Sequence, residues 1–178
     1  NSYQIAPGGK FAFHTFSNAN TPPMKELISL PDHRRIKLLY DNENYKKVFD
    51  ALATSPTEFF RVKTEDDVEM DGYMIKPHDF DPSKKYPVIF YVYGEPWGQT
   101  AKDNWEGNLY HQMLTQKGYI VMTLDNRGTP SPRGRAWRKS IYRKIGVINS
   151  RDQAMAAKEI QQWDFVDADR LGVWVCVG

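Results

Sequence analysis

The strongest constraint on this 178-residue chain is its final stretch, where Leu171-Gly172-Val173-Trp174-Val175-Cys176 runs from an acidic turn to Val177-Gly178. So short an apolar run, entered through Val166-Asp167-Ala168-Asp169-Arg170 and left at a glycine, predicts a buried parallel strand ending in a sharp bend. A parallel strand needs a parallel neighbour and a crossover, which commits the preceding residues to an α/β arrangement.

The preceding residues fit. Glu58–Lys63 and Val68–Ile75 flank the acidic turn Thr64-Glu65-Asp66-Asp67 and predict an antiparallel hairpin. Pro87–Tyr93 is continuously apolar, as a strand covered on both faces should be. The spacing predicts a helix over 104–117 ended by Gly118, a second buried strand over 119–124, and a helix over 151–163 before the last strand. A hairpin followed by strand, helix, strand, helix, strand is the order of a mostly parallel sheet.

Residues 1–40 read differently. Phe11-Ala12-Phe13-His14-Thr15-Phe16 alternates with period two, and Lys25–Leu30 is a second short strand closed by Pro31-Asp32. Tyr45, Val48, Phe49 and Leu52 fall on one face of a short helix that Asp41 or Asn42 can cap, and Ser55-Pro56 breaks it. The expected organisation is 1–55 as strands plus a linking helix, and 56–178 as the α/β part.

Net charge is +2 with no basic stripe, which argues against a nucleic-acid partner. No apolar run approaches the ~20 residues of a membrane span. The single Cys176 excludes an internal disulfide framework and a multi-cysteine zinc site. A first residue other than Met and a last residue inside a motif lead to the expectation of a piece of something longer.

Several segments resemble, in order and spacing, the prolyl oligopeptidase family of serine peptidases, and most of all its dipeptidyl peptidase IV branch. They are Phe80-Asp81-Pro82-Ser83-Lys84-Lys85-Tyr86-Pro87-Val88, Tyr91-Val92-Tyr93-Gly94, Asp125-Asn126-Arg127-Gly128-Thr129, Ile141–Gly146 and Phe165–Trp174. Asn18–Pro23 and Leu30–His33 resemble the exit from that branch's β-propeller. The resemblance implies an incomplete α/β-hydrolase fold preceded by the last propeller strands, and cleavage of short peptides, often after proline, by a Ser-Asp-His triad. It implies no cofactor and no metal, a peptide as substrate, and a periplasmic or extracellular setting, for which no residue of this chain is a signal.

The resemblance also assigns site residues. The family's elbow reads Gly-Trp-Ser-Tyr-Gly-Gly, so Val175 stands at its first glycine, Cys176 at the tryptophan, Val177 at the serine and Gly178 just after. Tyr93 would donate its hydroxyl to the oxyanion, with the backbone N–H of Gly178 as second donor; otherwise Tyr93 is a core tyrosine at a strand end. Valine cannot attack a carbonyl. Cys176 as a substitute nucleophile points to the opposite face, and a lone apolar-flanked cysteine is most often simply buried. His14, His33, His78 and His111 precede the elbow, too early for the base, and are expected on surfaces or loops.

The family's Tyr-Gly-Gly-Pro or Tyr-Ala-Gly-Pro turn is Tyr93-Gly94-Glu95-Pro96 here, and its Asp-Gly-Arg-Gly is Asp125-Asn126-Arg127-Gly128. Asp125 and Arg127 are read as an ion pair, in the active-site loop or merely holding local structure. Glu65-Asp66-Asp67 is read as a wet turn. Trp97, Trp105 and Trp137 either line a cleft or pack core and interface. Two functions follow: a dipeptidyl-peptidase-IV-type exopeptidase that is inactive as written, or a non-catalytic interaction module on the same scaffold. An open apolar edge beside the last strand predicts self-association, or pairing with the remainder of a longer protein.

Overall fold

The computed structural model describes residues 1–175. Cys176, Val177 and Gly178, with the elbow expected there, lie outside the described residues. The chain forms two compact units: Asn1–Thr54 with Asp103–Asn108, and Ser55–Lys102 with the chain from Leu109 onward.

The first unit is an antiparallel meander, β1 (Ser2–Ile5), β2 (Phe11–Asn18), β3 (Thr21–Ser29) and β4 (Arg35–Tyr40), followed by helix α1 (Glu43–Asp50). Two of these strands are expected from sequence. The two that are not, β1 and β4, are the outer ones and are exposed at every position, so no alternation marks them. In β2 the small and polar residues face inward: Ala12 and His14 are buried while Phe11 and Phe13 are exposed. Cross-strand register sets Ala12 against Ile28 and His14 against Glu26. In α1, Phe49 is the residue of the expected apolar face that is buried, its ring 4.8 Å from that of Trp105. Asn42 takes the cap position in the left-handed region (φ 56°) without a side-chain cap bond. The Asp41 carboxylate accepts from Glu43 N–H at 3.0 Å.

The second unit is a mixed five-stranded sheet in the order β5-β6-β8-β7-β9, with β5 (Thr57–Lys63), β6 (Glu69–Ile75), β7 (Tyr86–Val92), β8 (Ile120–Leu124) and β9 (Val166–Val175). The β5–β6 hairpin forms as expected, β6 runs antiparallel to β8, and β8, β7 and β9 are parallel. β8, flanked on both edges, is buried at all five positions. Helices α2 (Leu109–Gln116), α3 (Gly134–Lys139) and α4 (Ile148–Ile160) lie between the strands in sequence.

Two helices, α2 and α4, have boundaries that differ from expectation, and a third, α3, is not expected at all. α2 begins five residues late because Gly107 has φ +57°, and a Cβ there would meet Trp105 Nε1 at 2.9 Å, which ends any helix through 104–108. The six-residue α3 has no buried side chain and hence no apolar stripe to reveal it. α4 buries Asp152, Ala156 and Ile160, an i, i+4, i+8 stripe that a carboxylate heads. Burying Ile160, at 0% exposure, against the sheet core is worth about 1.5–3 kcal/mol.

The acidic stretch before the last strand becomes a bulge. Tyr86 pairs with Val166 and Val88 with Leu171, so β9 spends five residues where β7 spends two. Within it, Arg170 Nε donates to Asp167 Oδ2 at 2.6 Å.

Candidate active site

β7 and β9 run parallel with Val92 opposite Val175. Tyr93 therefore leaves the sheet at the end where β9 delivers its last described residues, and β8 delivers Asp125 at the same end. Crevices outside the carboxyl ends of parallel strands are where α/β sheets place ligands.

Two glycines fix Tyr93. Gly94 turns the chain at φ +71°, and Gly98 lies against the tyrosine ring, where a Cβ would meet Cε1 at 2.6 Å. The loop after β8 holds this turn. Asn126, fully buried, donates from Nδ2 to the Gly94 carbonyl at 3.1 Å and to the Arg127 carbonyl at 2.8 Å. Its Oδ1 accepts from Gln153 Nε2 at 3.1 Å, and Gln153 also donates to the Leu124 carbonyl at 2.8 Å. Asn126 thus joins the Tyr93–Gly94 turn to α4. Its role was hidden in sequence, where it stood only as a departure from a glycine; the legible signal was an amide following a buried strand and an aspartate.

Asp125 and Arg127 do not pair with each other. Asp125 Oδ1 accepts from the Thr100 N–H and hydroxyl, each at 2.9 Å, and Oδ2 from Ala101 N–H at 3.2 Å. Burial pushes the Asp125 carboxyl up from its ordinary value, and these donors partly offset it. Arg127 turns to α4 instead: Nε bridges both oxygens of Asp152 at 3.2 and 3.0 Å, Nη2 donates at 2.6 Å, and the backbone N–H at 3.0 Å. The reason is the buried carboxylate on α4, which needs a full set of donors. Gly128 follows at φ +96° beneath Ile141, whose Cβ would lie 2.6 Å from an added methyl.

The remaining candidates disperse. His33 and His78 are exposed and in loops, as expected, but His14 and His111 are buried, His14 opposite a carboxylate and His111 among the rings of Tyr91 (5.1 Å) and Trp174 (5.9 Å). Burial holds the His111 imidazole down at about 4, so it is neutral at pH 7. Trp97 is exposed, Trp105 packs on α1, and Trp137 stacks under the Arg133 guanidinium while touching the core. Glu65, Asp66 and Asp67 are exposed, as a wet turn should be, and pair at the surface with Lys158, Arg151 and Lys63. Val177 and Gly178 fall outside the described residues. What remains at the strand ends is a positioned phenol, half-buried, with Glu95 two residues on.

The profile of the prolyl oligopeptidase family matches residues 105–174. Dipeptidyl peptidase 4 of Trichophyton rubrum is 29% identical over 173 residues, 95% of this chain and 22% of that protein. Probable dipeptidyl-aminopeptidase B of Trichophyton verrucosum is 33% identical over 154 residues, 85% of this chain and 17% of that protein. The crystal structure of Porphyromonas gingivalis dipeptidyl peptidase 4 superposes with a TM-score of 0.91 at 34% identity, covering 98% of this chain and 24% of that one.

By fold and sequence the chain is similar to the prolyl oligopeptidase family of serine peptidases. Within that class it is similar to the dipeptidyl peptidase IV branch, spanning about a quarter of the length of those relatives or less.

Proposed function

We propose that this chain is scaffold from a dipeptidyl-peptidase-IV-type serine exopeptidase, whose reaction is acyl transfer from a short peptide, often after proline, to a serine, followed by hydrolysis. On this reading β5–β9 are part of an α/β-hydrolase sheet and β1–β4 are the last strands of a β-propeller. The supporting observation is the pairing of Val92 with Val175, which sets Tyr93 beside the end of a parallel strand. A phenol there would donate to a carbonyl oxygen as it gains negative charge. Asn126, through Gly94, would keep that donor in place.

We further infer that the 178-residue chain does not turn over peptides itself. The residue at the serine position is Val177, which has neither proton nor lone pair to offer. Glu95 brings a carboxylate close in sequence to the oxyanion donor, where negative charge opposes the developing oxyanion. These two substitutions favour a second reading, a non-catalytic interaction module on the same scaffold, over an unmodified enzyme. Purified chain is expected to leave Xaa-Pro chromogenic dipeptides intact and to resist fluorophosphonate labelling; hydrolysis together with labelling overturns the inactivity. Saturable binding of an Xaa-Pro peptide without turnover distinguishes the interaction module from scaffold alone.

A further inference from the structure

The first unit holds a cluster that the peptidase reading does not use. His14 on β2, Glu26 on β3 and His33 in the β3–β4 loop each offer one ligand atom, and these atoms lie within 4.8 Å of one another. His14 and Glu26 are buried, and His33 is exposed, so the cluster has one open side. We propose that these three residues form a binding site for a divalent transition-metal ion, zinc foremost.

The donor set is the first argument. Two imidazoles and one carboxylate suit zinc, and they leave a fourth tetrahedral position for water. Two imidazole nitrogens disfavour magnesium and calcium, which take oxygen ligands.

Geometry is the second. His14 Nδ1 is 2.9 Å from Glu26 Oε1, and His33 Nε2 is 3.9 Å from the same oxygen. The longer separation exceeds a hydrogen bond. Two ligands of one zinc stand about 3.4 Å apart, given metal–ligand distances near 2.1 Å. Small rotations of His14 and His33 therefore bring all three atoms to an ion.

The surroundings supply the third. Tyr3 Oη lies 3.3 Å from His33 Nδ1. With Nδ1–H donated to that hydroxyl, the lone pair of Nε2 faces Glu26, the arrangement that outer partners impose on metal-binding histidines. Arg35 engages the other oxygen, Oε2, leaving Oε1 to the ion. On binding, the Nδ1 proton of His14 that Glu26 accepts is displaced, to the second ring nitrogen or to solvent. No spacing motif marks the cluster, since 14, 26 and 33 come from three segments that only the meander brings together.

The test is zinc titration of the 178-residue chain, with cobalt(II) as a spectroscopic substitute. His33→Asn carries the test, because His33 is exposed with φ +51° and asparagine tolerates that conformation. The expected result is one zinc per chain, a tetrahedral cobalt spectrum without a thiolate band, and at least about tenfold weaker binding in His33→Asn. A His78→Asn control should bind as the parent does. No zinc uptake, binding indifferent to His33→Asn, or a cobalt spectrum dominated by the Cys176 thiolate would each overturn the site.

Discussion

Gly128 leaves no room for a methyl group, because its φ of +96° and the Ile141 side chain 2.6 Å from an added Cβ both oppose one. Gly128→Ala is expected to cost about 1–3 kcal/mol, read as a lowered urea midpoint with unchanged slope. His111 gives a prediction of a different kind. Its imidazole titrates near 4 in the folded chain, while the unfolded chain takes up that proton near 6.5. Between those values the unfolded state binds more protons, so stability falls as the pH drops from about 6.5 to about 4 and levels off below, at most about 1.4 kcal/mol per pH unit. Replacing His111 with leucine should flatten urea midpoints measured across that window; an unchanged slope would assign the acid sensitivity to other groups.

Among the elements, α4 shows how a weak sequence signal can belong to a well-anchored helix. Its inward stripe pairs Ala156 and Ile160 with Asp152, 1% exposed, and the Arg127 fork satisfies that carboxylate. Asp152→Ala strips the guanidinium of its partner beneath the strand ends and is expected to cost about 3 kcal/mol, the lower end for a buried pair because Arg127 keeps some solvent contact. Thermal unfolding of Asp152→Ala, with Arg127→Leu and the double variant, measures the coupling. Sequence periodicity found β5 to β8 because each carries apolar residues in a run or alternation. It missed β1, β4 and α3, whose side chains are exposed, and it placed α2 too early because a left-handed glycine outweighs apolar spacing. Of the candidate site, Tyr93 and the loop after β8 are singled out by resemblance. The Asn126 tie and the partner of Arg127 are not, since they depend on which helix side chains meet the loop.

For the molecule as a whole, β9 is one of the two edge strands of the second sheet among the described residues, β5 being the other. β9 is paired with β7 alone and exposes Val173, Trp174 and Val175. An apolar strand with one unpaired edge invites another chain to add to it. The 178-residue protein is expected to associate with itself at micromolar concentration. Val173→Lys, which sets a charge on that edge, should shift sedimentation toward monomer; a cooperative monomer without the substitution would contradict this.

The bulge at the start of β9 constrains any such pairing. A smooth strand can slip by two residues and keep its faces, but Asp167–Arg170 forms a charged knuckle with an ion pair of its own. Sliding would drive those charges into the ladder, so the knuckle works as a stop, holding the strand's far tip at a fixed height beside Tyr93.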